Sequence, residues 1–344
     1  MRNIKQYFAV ALFLSAVAFV SCFRKPLPEY MSIKGKYVNV RGFALGTSYS
    51  VTYFSPERID LNDSIKALLD GFENSLSIYR ENSIISKVNR NEETVLDNYF
   101  TKMFNRSKEI ARQTDNAFDI AGAPFFEIWG WGAKNRIEVS PRMIDSISEF
   151  AGIDKISIVD GKIIKTDPRV SLNANAIAKG FSADVIAEFL NRMKIADYLV
   201  EIGGEMTIKG KNPKGEKWKV AIDNPEDGNY IPGRNIRTVL AITDRALATS
   251  GNYRRFYIEN GEKFSHTIDP RTGYQSEQNI LSASVSASDC MTADAFATAF
   301  MVLGLDKSKE ILDARPELDA YLIYFEDGEE KVYFTDGMTQ CIID

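Results

Sequence analysis

Apolar residues recur at helical spacing over Asp63–Tyr79, at Ile65, Leu68, Leu69, Phe72 and Leu76, and this period predicts an amphipathic helix. Tyr99–Thr114 predicts a second helix. Phe181, Val185, Ile186, Phe189, Leu190 and Met193 mark a third that starts near Ala178. Pro141–Phe150 follows Ser140, a favoured N-cap with proline in the first turn. Met291–Leu303 and Lys307–Ala314 predict two more helices. Alternation over Val38–Tyr53 predicts two strands that turn at Gly46-Thr47. Ile156–Val159 and Lys162–Lys165 flank Asp160-Gly161, a hairpin signal, and Ala320–Phe325 and Lys331–Phe334 do the same around Asp327-Gly328. Further strands are expected at 198–202, 206–209, 217–222 and 237–243. No internal repeat is visible. Strands and helices are interspersed without a strict βαβ rhythm, so the expected fold class is mixed α+β.

The N-terminus departs from this pattern. Arg2 and Lys5 precede an apolar run, Tyr7–Val20, of signal-peptide length and short for a membrane span. The run closes on Ala18-Phe19-Val20-Ser21-Cys22, which resembles a bacterial lipoprotein signal. The expectation is a signal over 1–21, lipid on Cys22, a tether over 22–36 and one domain over 37–340 facing the periplasm. An ordinary cleaved signal or a short anchor is the alternative.

Charge and cysteine count narrow the function classes. The formal net charge is −5 and no Lys/Arg-rich block is present, which argues against a nucleic-acid partner. Of three cysteines, acylation of Cys22 leaves Cys290 and Cys341, which excludes a disulfide framework or a zinc cluster. Two unpaired thiols are expected, with a single bridge as the alternative. No Ser/His/Asp hydrolase signature appears, and Cys290 has no adjacent base.

Candidate chemistry concentrates in a few segments. His266, the single histidine, lies in Ser265-His266-Thr267-Ile268-Asp269-Pro270-Arg271-Thr272-Gly273, a shaped polar turn. Asp294 and Thr298 are four apart on a predicted helix and therefore share one face. Carboxylate and hydroxyl oxygens suit Mg²⁺ or Ca²⁺, although a helix-dipole carboxylate and a back-bonded threonine fit the same spacing. Asn173-Ala174-Asn175-Ala176-Ile177-Ala178-Lys179-Gly180 feeds a helix N-terminus, where free N–H groups and a lysine suit an anion. Gly203-Gly204, inside Glu201-Ile202-Gly203-Gly204-Glu205, fits a tight turn or a close approach to a ligand. Trp129, Trp131 and Tyr79 are either core or a stacking surface for a flat ring.

Nine ordered segments together resemble the ApbE family of FAD:protein FMN transferases. They are Leu45-Gly46-Thr47, Ser77-Ile78-Tyr79-Arg80, Ala117-Phe118-Asp119-Ile120, Trp129-Gly130-Trp131-Gly132, Ala176-Ile177-Ala178-Lys179-Gly180, Glu201-Ile202-Gly203-Gly204-Glu205, Ala248–Arg255, His266–Gly273 and Thr292–Thr298. The resemblance runs over roughly 38–335 and implies an ApbE-like fold with the flavin site between two packed subdomains. It implies Mg²⁺-dependent transfer of FMN from FAD to a Thr or Ser hydroxyl of a partner protein, with release of AMP. The implied acceptors are subunits of membrane electron-transfer complexes of the NADH:quinone reductase or Rnf type.

By position, the resemblance implies metal ligation by Asp294, Thr298 and the carbonyl of Ala176. It implies flavin contacts from Leu45, Tyr79, Ala117, Phe118, Asp119, Asn173, Lys179 and Ile268. Leu45 replaces the family's common methionine, and Asn173 stands where many members have aspartate. His266 is the candidate general base and Asp269 its orienting carboxylate, since an imidazole titrates near working pH; the alternative is that His266 binds phosphate. Two alternatives stay open: an FAD pyrophosphatase with water as acceptor, and a lipoprotein that binds flavin without catalysis.

Overall fold

The computed structural model describes residues 30–32, 36–131, 137–227, 229, 233–253, 256–259, 262–265 and 267–343. Cys22 and His266 lie outside the described residues. The strands are β1 (Tyr30–Ser32), β2 (Tyr37–Ala44), β3 (Thr47–Phe54), β4 (Ile156–Val159), β5 (Lys162–Lys165), β6 (Tyr198–Ile202), β7 (Glu205–Lys209), β8 (Trp218–Asp223), β9 (Ile236–Ile242), β10 (Arg245–Gly251), β11 (Phe256–Glu259), β12 (Glu262–Ser265), β13 (Ile280–Ala287), β14 (Asp319–Glu326) and β15 (Glu329–Phe334). The helices are α1 (Asn62–Leu76), α2 (Ile84–Asn89), α3 (Asn98–Gln113), α4 (Ala123–Ile128), α5 (Pro141–Ser148), α6 (Ala178–Arg192), α7 (Cys290–Ala314) and α8 (Asp336–Thr339).

Nine of the described strands form one sheet in the order β1-β2-β3-β6-β7-β10-β13-β14-β15. Each neighbouring pair is antiparallel. The mixed α+β expectation holds. Alternation along the strands splits the core in two. On β14, Leu322 joins the cluster that includes Phe72, Phe104, Phe181 and Phe296 of the helices. Its neighbours Tyr321 and Ile323 point the other way, into a cluster with Trp218, Val220 and Leu240 of the β8–β9 hairpin. A third cluster joins Phe125, Ile144, Ile147, Phe150 and Ile268.

Two features differ from the sequence reading and a third agrees with it. Part of the expected tether is a strand, since Tyr30–Ser32 pairs with Val38–Val40 and covers what is otherwise the sheet edge. The central strands β10 and β13 had no clear signal, because they read RALATSG and ILSASVSA. Both faces of that region are covered, and small residues replace the β-branched alternation of a half-buried strand. The two helices expected at Met291–Leu303 and Lys307–Ala314 are both present along α7, separated by a kink at Gly304, whose φ of 76° is non-helical.

Candidate active site

The site is built where α6 meets α7. Gly180 lies in the first turn of α6, where backbone N–H groups have no partner within the helix. Its N–H donates instead to Asp294 Oδ2 at 3.0 Å. A Cβ at Gly180 would lie 2.2 Å from the carbonyl oxygen of Cys290, so glycine is what lets the two helices approach. Asp294 is 3% exposed, and burial pushes its carboxyl up while Lys179 pulls it down. Thr298, one turn further along α7, has its hydroxyl 3.3 Å from Ser250 Oγ on β10.

Lys179, in the same turn as Gly180, pairs its Nζ with Glu205 Oε1. Glu205 opens β7 and is 2% exposed. Burial raises its carboxyl pKa, Asp294 raises it further and Lys179 opposes both. The second carboxylate oxygen, Oε2, is buried with no hydrogen-bond partner. Glu205 is held by the turn before it, where Gly203 and Gly204 have φ of 64° and 107° and Ile202 pairs with Glu205. Gly203 also donates to the Ser48 carbonyl at 3.0 Å, which brings the Leu45-Gly46-Thr47 turn alongside. The tight-turn reading of these glycines holds.

The remaining segments join through short links. Leu45 has φ 51° and donates its N–H to Glu73 Oε1 at 3.1 Å, and Arg80 pairs with Glu73 Oε2 at 2.6 Å. Tyr79 is 65% exposed, with its hydroxyl 3.4 Å from Asn175 Nδ2. Asn173 accepts from the Asn175 N–H at 2.9 Å through Oδ1 and donates its own N–H to the Ile120 carbonyl at 2.8 Å. Pro270 packs on Gly122, where a Cβ would lie 3.1 Å from the proline ring. Thus the segments at 45–47, 77–80, 117–122, 173–180, 201–205, 248–251, 268–273 and 294–298 are tied into one region.

Several expected flavin contacts are occupied by structural duties. The ring of Phe118 is 1% exposed and belongs to the main core, as does Ala117. Asp119 accepts from the Ala121 N–H at 2.7 Å and the Ile153 N–H at 2.9 Å, one on each oxygen, and burial raises its pKa to about 6. Ile268 is buried in the third cluster. Both oxygens of Asp269 bind Arg271, at 2.9 and 2.8 Å; His266, its expected partner, is outside the described residues. Trp129 donates its indole N–H to the Gly273 carbonyl at 2.9 Å, so it braces the 268–273 turn. Cys290 and Cys341 are both free thiols, and burial raises Cys290 well above the usual range.

Sequence reasoning missed two residues of this region. Glu205 was visible only as the end of a matched segment, although an acid at an inward strand position is itself a signal. Asp184 was not visible at all. It accepts from the N–H groups of Cys290 and Met291 at 2.9 and 2.8 Å and so fastens the start of α7 to α6.

The donor set fits a hard cation. It offers a buried carboxylate and a hydroxyl one turn away. No group of three or more His, Cys, Asp or Glu side chains gathers among the described residues.

Known proteins resemble this chain in sequence and in fold. The ApbE family model matches residues 45–322. The FAD:protein FMN transferase of Haemophilus influenzae is 33% identical over 303 residues, spanning 84% of this chain and 86% of that protein. The one from Escherichia coli K12 is 29% identical, with 97% of each chain covered. The structure of the flavin transferase ApbE from Vibrio cholerae superposes with a TM-score of 0.80 at 28% identity, covering 89% of this chain and 99% of that one. The apo flavinyl transferase ApbE of Pseudomonas stutzeri gives a TM-score of 0.79 at 25% identity, over 90% and 98% of the two chains. This chain belongs to the ApbE family.

Proposed function

We propose that the protein transfers FMN from FAD to a threonine or serine hydroxyl of a partner protein and releases AMP. The observation that carries this reading is the pairing of Gly180 with buried Asp294, one turn from Thr298 and next to Lys179 at the start of α6. Asp294, Thr298 and the carbonyl of Ala176 hold Mg²⁺. The bound ion supplies charge neutralisation at the pyrophosphate. Lys179 adds a point charge for the same oxygens. Tyr79 and the Leu45 turn flank the flavin ring, with Asn173, Ile268 and the 117–119 segment behind it. His266 takes the proton from the acceptor hydroxyl, whose oxygen attacks the phosphorus on the FMN side; the P–O–P bond breaks and AMP leaves with the pyrophosphate bridge oxygen. Asp269, held by Arg271, shapes the turn that carries His266.

We place the protein at the membrane through lipid on Cys22, with the catalytic domain facing the periplasm and acceptors among NADH:quinone reductase or Rnf-type subunits. Support comes from the N-terminal apolar run ending at Ser21-Cys22. Among the described residues no helix is long and apolar enough to cross a membrane. The test is incubation with FAD, Mg²⁺ and an acceptor domain, followed by intact mass of the acceptor and AMP measurement. Covalent FMN on the acceptor with matching AMP is the expected result. AMP without acceptor modification assigns a pyrophosphatase instead, and neither product leaves a flavin-binding protein.

A further inference from the structure

Glu205 differs from the other buried acids of this region in one respect. Asp119 has a backbone N–H on each carboxylate oxygen. Asp184 accepts from two backbone N–H groups and the Thr207 hydroxyl. Those two acids are saturated by the fold. Glu205 spends Oε1 on Lys179 and leaves Oε2 buried without a donor. A buried acceptor left open is costly in the folded chain, and a fold that needed only a neutralised lysine has no use for it. The carboxylate also stands on rigid backbone, between the Gly203-Gly204 turn and the pairing of β7 with β6 and β10. Lys179 has a flexible four-carbon stem and is 32% exposed at its side chain, so its position depends on what holds the ammonium.

We infer that Glu205 is a positioning residue of the flavin site: it fixes the Lys179 ammonium where the FAD pyrophosphate binds and keeps Oε2 open for a hydrogen-bond donor that arrives with the loaded site. The inference rests on the reading of the site given above. Glu205 acts through Lys179 and not on the reacting atoms. Groups of this kind, which orient a contact residue rather than bind the ligand, cost roughly 10–100-fold in affinity or activity when removed.

The test is a double-mutant cycle of Lys179→Met and Glu205→Gln. Two readouts are used: FAD affinity from flavin fluorescence, with Mg²⁺ and with EDTA, and the single-turnover rate of FMN transfer at saturating FAD. Each single variant is expected to lose roughly 10–100-fold in one of these readouts. In the Lys179→Met background, Glu205→Gln is expected to add less than about twofold, because its effect runs through a lysine that is no longer there. Losses that multiply across the two positions overturn the inference, as does a Glu205→Gln variant with wild-type behaviour in both readouts. If Glu205→Gln fails to fold, Glu205→Asp takes its place, since it keeps the charge and withdraws it from Lys179 by one methylene. Wild-type protein that binds FAD but modifies no acceptor counts against the transferase reading; wild-type transfer with a multiplicative cycle counts against the role of Glu205 alone.

Discussion

Gly180 and Asp294, 114 positions apart, share one hydrogen bond that closes the first turn of α6 and aims the buried carboxylate of α7. The same contact requires glycine. A Cβ there would stand 2.2 Å from the Cys290 oxygen and 2.7 Å from its carbon, backbone atoms that cannot rotate away. Gly180→Ala is therefore expected to cost at least about 2 kcal/mol, within the range for overpacked interiors. The urea midpoint should fall with an unchanged slope. A midpoint equal to wild type removes the packing argument.

Asp294→Asn separates the two duties of this side chain. The amide oxygen still accepts from Gly180, so the fold should keep its urea midpoint closely. The charge offered to Mg²⁺ is lost. Transfer at limiting Mg²⁺ should fall by at least about 100-fold, equivalent to about 2.7 kcal/mol of transition-state stabilisation. Full activity in metal-limited buffer would show that Asp294 is not a ligand.

Asp184 gives a pH signature. Burial raises its carboxyl to about 7, against the donors from Cys290, Met291 and Thr207. An unfolded aspartate titrates near ~3.9, so between the two values the folded chain binds the extra proton. Stability from this group is fully present below the unfolded value and is lost as pH rises through about 7. Asp119, raised to about 6, acts in the same direction. Melting temperature measured from pH ~4 to ~7 should decline less steeply for Asp184→Asn than for wild type. Parallel profiles would sink the assignment.

His266→Asn should slow transfer by roughly 10²–10⁴-fold with FAD affinity little changed, the signature of a lost general base. With a single histidine in the chain, one inflection should vanish from the pH–rate profile. Weakened FAD binding with unchanged single-turnover chemistry would make His266 a ligand contact.

Cys22→Ser should release the protein from membranes, since an apolar run of signal length needs acyl chains for stable anchoring. Retention of the variant after alkaline washing counts against lipid at this position.

The sequence by itself determined the local elements and the family. The hairpins at Asp160-Gly161 and Asp327-Gly328 form as their turn chemistry predicts, and the periodic apolar stretches at 62–76, 98–113 and 178–192 are helices. Nine matched segments carry the resemblance to flavin transferases. Only the tertiary structure decided the sheet order, the central place of β10 and β13, and which acids are saturated. Local period reports that a residue is buried, not what it is buried against. Asp119, Asp184 and Glu205 are all acids in ordinary local settings, yet two are filled by backbone donors and one keeps an open oxygen. That difference depends on contacts between positions far apart in the chain, such as Lys179 with Glu205 and Gly180 with Asp294, which exist only once α6 and α7 cross beside the sheet.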